Sequence, residues 1–106
     1  MEFIETPIFT EAITKFISDD SYLELQKHLA DNPEVGSLIQ GTGGLRKIRW
    51  SAKGHGKRGG IRIIYYYYVI NSVVYMFLAY PKNEKDNLTP KEKKYLKLLL
   101  EDYKNG

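Results

Sequence analysis

Apolar positions change their spacing near the middle of the chain. In "SDDSYLELQKHLADNP" (18–33), Tyr22, Leu25 and Leu29 recur at intervals of three and four, which sets them on one stripe of a helix. Ser18 or Ser21 supplies the cap, Asp19 and Asp20 suit the positive end of the helix dipole, and Asn32-Pro33 closes the element. From Gly36 onward the interval is two. Leu45, Lys47 and Arg49 alternate with Arg46, Ile48 and Trp50, the pattern of a strand with two distinct faces. "IRIIYYYYVI" (61–70) and "VVYMFLAY" (73–80) predict two further strands joined around Asn71-Ser72.

The chain ends complete the outline. "FIETPIFT" (3–10) predicts a short strand with Pro7 tolerated at an edge, followed by a helix from Glu11 to Ile17. Thr89-Pro90-Lys91-Glu92 is a capping box with proline at the first helical position, and Leu96, Leu99, Leu100 and Tyr103 give the last helix its apolar face. The expected order is β-α-α-β-β-β-α. That is an α+β domain: an N-terminal strand and two helices, an antiparallel three-stranded core and a C-terminal helix, with the helices on one side of the sheet. At 106 residues, one domain spans 1–106.

Composition narrows the chemistry. Residues 63–80 carry no charge and border on the length that spans a bilayer. Asn71-Ser72 interrupts them, however, and both halves are rich in β-branched and aromatic residues, which favours a hairpin. "MEFIETPIFTEAITKF" carries acids early and no long apolar run, so it does not read as a signal peptide. The absence of cysteine excludes a disulfide framework and a thiolate metal site. Two distant histidines and scattered carboxylates lack metal-ligand spacing.

Charge is the most informative property. The net +3 is unevenly distributed: residues 35–83 hold eight cations and no Asp or Glu, leaving −5 on the remainder. Such segregation makes a local positive potential that suits a polyanion. Arg49 falls near the end of one strand and Arg62 at the start of the next. If the two strands pair across the loop 51–60, both guanidiniums rise from the same end of the sheet. Glycines at 54, 56, 59 and 60 let the loop backbone approach a ligand, and Lys53, Lys57 and Arg58 surround it with charge. A phosphodiester fits this set, because guanidinium binds phosphate oxygens as a fork and keeps its charge. A solvated basic hairpin loop would contain the same residues.

Tyr65 and Tyr67 fall on one strand face and Tyr66 and Tyr68 on the other; exposed rings stack on bases, buried ones pack the core. His55 is a residue type suited to proton transfer, though a loop position equally fits a passive role. Lys82 and Asn83 in "AYPKNE" add a cation and an amide near the strand ends, or simply form a turn. "GTGGL" and "GHGKRGG" are not nucleotide-triphosphate loops, since neither opens the helix of a βαβ unit and "GKR" is not "GK[ST]".

Taken together, "GTGGLRK", "GKRGG-x-R" and "Y-x-KNE", followed by a lysine-rich terminal helix, resemble the RelE-like toxins of bacterial type II toxin–antitoxin pairs, in the HigB branch of the RelE/ParE superfamily. The resemblance covers nearly the whole chain and is strongest over 41–84. It implies a cytoplasmic, ribosome-dependent mRNA endonuclease that enters the A site, uses no metal or cofactor, and lets the RNA's own 2′-hydroxyl attack the adjacent phosphate. It implies a cognate antitoxin, expected to be of the helix-turn-helix type, with operator DNA met only through that antitoxin and no membrane involved.

By resemblance, Lys47 and Arg49 match the family's paired strand cations, suited to proton abstraction or charge stabilisation, and Arg62 matches its phosphate-binding arginine. Lys82 and Asn83 stand where many relatives place arginine or histidine. The tyrosine that some relatives place shortly afterwards has no counterpart; Leu88 stands nearby, and Tyr80 or His55 is offered instead. Arg46, Lys53, His55, Lys57, Arg58 and Tyr80 are the expected RNA contacts. Two alternatives stay open: a ParE-like gyrase poison on the same scaffold, and a non-catalytic RNA-binding module.

Overall fold

Thr6 ends the first strand and begins the first helix in the same residue. The computed structural model describes residues 1–51, 60–85 and 87–105. In it, β1 (Glu2–Glu5) passes directly into α1 (Pro7–Phe16). The Thr6 hydroxyl accepts from the Phe9 amide at 3.2 Å and donates to the Phe77 carbonyl at 2.8 Å, so one side chain caps the helix and ties it to the sheet. Pro7 occupies the first helical position, where its missing N–H leaves no bond unmade. The strand expected over 3–10 therefore stops at Glu5, and the helix expected from Glu11 starts four residues earlier.

In α2 (Asp19–Asp31) the cap is Ser18, which accepts from the Ser21 amide at 3.1 Å. Four strands follow: β2 (Ser37–Leu38), β3 (Arg46–Trp50), β4 (Ile61–Tyr68) and β5 (Val73–Pro81). They form with β1 a five-stranded sheet in the order β1-β5-β4-β3-β2, parallel only between β1 and β5. The domain is thus α+β as expected, with a mixed sheet and one strand more than the alternation indicated. That strand, β2, is set by the Gly41-Thr42-Gly43-Gly44 turn. Gly41, Gly43 and Gly44 have φ of 80°, 81° and 120°, values that side chains with a Cβ rarely accept. The Thr42 hydroxyl closes the turn, donating to the Ile39 carbonyl at 2.7 Å and accepting from the Leu45 amide at 3.2 Å.

Alternation along β4 sorts the core into two layers. Ile61, Ile63 and Tyr65 pack with Phe9, Ile13, Leu25 and Leu29 of α1 and α2. Ile64 packs on the other face with Leu96 and Leu100 of α3 (Pro90–Asn105). Helices therefore cover both faces, correcting the one-sided arrangement; the odd and even residues of β4 are both apolar, so both faces need a cover. In β5 an irregularity opposite Ile64/Tyr65 shifts the register, so that Phe77 and Leu78 both serve the α3 layer and Ala79 returns to the other. This shift brings Tyr80 to the same face as its partner Arg62.

The β4–β5 connection turns over 69–72, with Ser72 at φ 53°. The uncharged stretch 63–80 is thus a hairpin. Among the described residues no helix is long and apolar enough to cross a membrane. The capping box of α3 is reciprocal, with the Thr89 amide donating to Glu92 at 2.9 Å and the Glu92 amide to the Thr89 hydroxyl at 3.1 Å.

A candidate phosphate-binding site on the sheet

Antiparallel pairing of β3 with β4 sets Arg49 opposite Arg62 and Lys47 opposite Ile64. The two-residue period of β3 turns 47 and 49 to the same side, and this is the α3 side, because Ile64 belongs to that layer. Arg62 is 1% exposed, Arg49 is exposed and Lys47 is half-buried. Guanidinium remains protonated even when sheltered. Like charges directly opposed across a strand pair repel each other, and an anion bound between them would relieve that repulsion.

Lys47, Arg49 and Arg62 line a cavity of about 480 Å³. Val35, Gly36 and Ser37 form its wall before and into β2, and Asn87 closes it ahead of α3. Every charged residue among the described residues of that lining is a cation. The Lys47 ammonium donates to the Asn87 side-chain oxygen at 3.2 Å, an amide that orients the ammonium without neutralising it. Arg49 also lines a cavity of about 520 Å³ with Ser21, Glu24 and Trp50. The Glu24 carboxylate makes that second space a poorer match for an anion.

The wall at 35–37 is held from behind. Tyr65, on the opposite face of the sheet, accepts from the Gly36 amide at 2.8 Å and donates to the Pro33 carbonyl at 2.9 Å. Burial pushes its phenol pKa up, against the lowering effect of the Gly36 bond, so the hydroxyl keeps the proton it donates. A Cβ at Gly36 would lie 2.8 Å from the Tyr65 ring and hydroxyl and 3.0 Å from the Lys47 carbonyl. Only glycine lets these three elements meet so closely. Trp50 anchors the far end of β3, donating from its indole to the Ser21 hydroxyl at 3.0 Å.

Several expected RNA contacts have other places. Arg46 lies on the opposite face from Lys47 and Arg49, and its guanidinium donates to the carbonyls of Glu34 at 2.9 Å and Gly36 at 2.8 Å. These bonds tie it to the wall of the cavity, on the face away from Lys47 and Arg49. Tyr80 is 4% exposed in the α3 layer, with the Lys85 ammonium 5.2 Å from its ring centre, so it offers no open face for a base. Leu88, nearby in sequence, is buried in the same layer. The tyrosine run is likewise spent on packing: Tyr65 is buried, and Tyr66, Tyr68, Tyr75 and Tyr103 form a chain of ring contacts towards α3.

Lys82 and Asn83 stand in the turn after β5, where the Lys82 amide donates to the Gly60 carbonyl at 3.1 Å. They are not among the residues that line the cationic cavity. The amide there is Asn87, which the sequence pattern did not single out; "DNLTP" reads only as a turn leading into a capped helix. Lys53, His55, Lys57 and Arg58 lie outside the described residues. Among the described residues no group of three or more His, Cys, Asp or Glu is placed to hold a metal ion.

A family model for the RelE toxin of the RelE/RelB toxin–antitoxin system matches residues 11–105. That span runs from α1 to the end of α3 and contains every residue of the cationic cavity. The chain therefore belongs to the RelE toxin family, whose members act as the toxin beside a cognate antitoxin.

Proposed function

We propose that this toxin is an endoribonuclease of the HigB branch that cuts translated mRNA in the ribosomal A site. The reading is carried by one observation: Arg49 faces Arg62 across β3 and β4, beside Lys47, in a cavity whose charged residues, among the described ones, are all cations. A phosphodiester entering it meets one sheltered and one open guanidinium, each able to bind two phosphate oxygens.

Cleavage follows from the substrate's own chemistry. The 2′-oxygen attacks the adjacent phosphorus and its proton passes to a base. The bond from phosphorus to the 5′-oxygen breaks, and that oxygen takes up a proton. The products are a 2′,3′-cyclic phosphate and a 5′-hydroxyl. Negative charge grows on the non-bridging oxygens at the transition state, where fixed cations act most strongly. Arg62 holds the phosphate, while Lys47 and Arg49 stabilise the growing charge and sit where proton transfer occurs. Holding the 2′-oxygen in line with the leaving oxygen contributes as well.

The partners are a ribosome carrying mRNA and an antitoxin of the helix-turn-helix type, through which alone the toxin meets operator DNA, in the bacterial cytoplasm. The test is translation-coupled cleavage of a defined message by purified protein. Wild type should cut in the A site, and Arg62→Ala should lose about 10²–10³-fold in rate, the usual cost of one transition-state donor. Lys27→Ala, an exposed cation of α2, should cut normally. DNA breaks in place of new mRNA ends would mark a gyrase poison, and RNA binding without cutting would mark a binding module.

A further inference from the structure

The Lys47–Asn87 hydrogen bond is a partition between two cavities. On one side lies the space of Arg49 and Arg62. On the other lies a cavity of about 380 Å³ that shares Ser37, Lys47 and Asn87 with it, and whose further walls include Gln40, Leu88 and Lys93. The two spaces form one cleft along β2 and β3, facing the start of α3. Among the described residues its charged lining runs Arg49 and Arg62, then Lys47, then Lys93, with no Asp or Glu on either side.

A single strand carries one phosphate per nucleotide, so a strand held at one phosphate must place the next one somewhere. Here the neighbouring space has a cation at its far end, an aliphatic wall and an amide. Lys93 is half-buried in the first turns of α3, which rest on the reciprocal Thr89–Glu92 cap. Its ammonium is a compact charge suited to a phosphate. Leu38, 62% exposed, gives an apolar surface for a ribose or base face, and the Gln40 amide presents both a donor and an acceptor to a base edge.

We propose that this second cavity is a subsite for the nucleotide next to the cut, with Lys93 on that nucleotide's phosphate. The proposal rests on the reading of the first cavity as the place of cleavage. Binding of a non-reacting nucleotide there contributes to rate by fixing the scissile bond against Arg49 and Arg62, so its loss appears in the chemical step as well as in affinity.

The experiment is a cycle between protein and message on programmed ribosomes. Three messages are compared: one with phosphates throughout, and two with a neutral methylphosphonate at one or the other position flanking the cut. Lys93→Ala should lower kcat/KM about fivefold on the first message, a typical contribution for a partly exposed charge-assisted contact. On one of the two modified messages Lys93→Ala and wild type should agree within about twofold. Lys94→Ala, exposed on the same helix and outside the cavity, should match wild type throughout. Should the modified messages be cut too slowly to compare, the salt dependence decides. Lys93→Ala should then flatten the slope of log kcat/KM against log salt by about 0.7, the loss of one phosphate contact on a single strand.

A Lys93→Ala enzyme with wild-type rate and salt slope, or one impaired equally on all three messages, would overturn the subsite and leave the cleavage reading standing. A wild-type protein that cuts none of the messages would remove both.

Discussion

Arg49 and Arg62 are directly opposed on neighbouring antiparallel strands and belong to the same face of the sheet. Two permanent cations in this position repel each other, and Arg62 is 1% exposed. Stability and anion binding therefore pull in opposite directions at this pair. A protein selected for stability alone would place an acid or an apolar residue at one of the two positions.

That opposition predicts the behaviour of Arg49→Gln. Removing the exposed member relieves the repulsion, so the variant should be more stable than wild type by roughly 0.2–1 kcal/mol, with the difference shrinking as salt is added. Cleavage should fall at the same time, because a charge aimed at the phosphate is gone. Urea unfolding at low and high ionic strength, beside a cleavage assay, checks both signs. A variant less stable at low salt would show that the two guanidiniums are held by interactions stronger than their repulsion.

Asn87 offers a second separation of geometry from charge. Its side-chain oxygen accepts from the Lys47 ammonium at 3.2 Å, a contact that Asn87→Asp would keep and strengthen. The added carboxylate would also cancel one positive charge in the cavity lining. Cleavage by Asn87→Asp should fall about fivefold or more even though Lys47 is held at least as firmly, given that an ion pair near a surface is worth around 1 kcal/mol. Asn87→Ser, which keeps a neutral acceptor, should lose less. Measured rates in the reverse order would mean that Asn87 acts through shape and not through charge.

How far the sequence revealed this site depends on the kind of signal. The alternation of Lys47 and Arg49 against Arg46, Ile48 and Trp50 was legible because a pleated strand has a fixed period. The pairing of Arg49 with Arg62 could be framed as an expectation because both flank one loop. The role of Arg46 was not legible: its charge reads like its neighbours', and only the fold of 33–37 turns it towards two backbone carbonyls. Asn87 carries no periodic signal, and its importance comes from α3 covering the second face of the sheet. Tyr80 changes sides through a shift of register in β5, which strict alternation cannot foresee.

The wall behind the cavity makes a prediction about packing. Gly36 leaves room for the Tyr65 ring and for the Lys47 carbonyl, and a Cβ there would come within 2.8 Å of the former and 3.0 Å of the latter. Gly36→Ala should destabilise the fold by about 1–3 kcal/mol as β2 or the ring gives way. Tyr65→Phe removes the hydroxyl that joins Gly36 to Pro33 and should cost about 1–2 kcal/mol. Because both changes strike the same junction, their combination should cost clearly less than the two separately. Strict additivity in denaturant unfolding would show that the wall and the ring act independently.

Glu92 bonds to Lys85 and to the Thr89 amide, and the Lys85 contact is the larger cause holding its carboxyl below the usual glutamate range. A carboxyl whose pKa is lower folded than unfolded stabilises the fold above the unfolded value and loses that contribution as pH falls through the folded one. Unfolding midpoints of wild type should therefore decline on acidification below the ordinary glutamate range more steeply than those of Glu92→Gln, which has no proton to take up. Lys85→Ala should also flatten the decline, leaving the part due to the Thr89 amide. At neutral pH both variants should be less stable than wild type, and the gap should narrow with acid. A gap that widened on acidification would mean that Glu92 is stabilised in its protonated form and that the ion pair contributes nothing to anchoring α3.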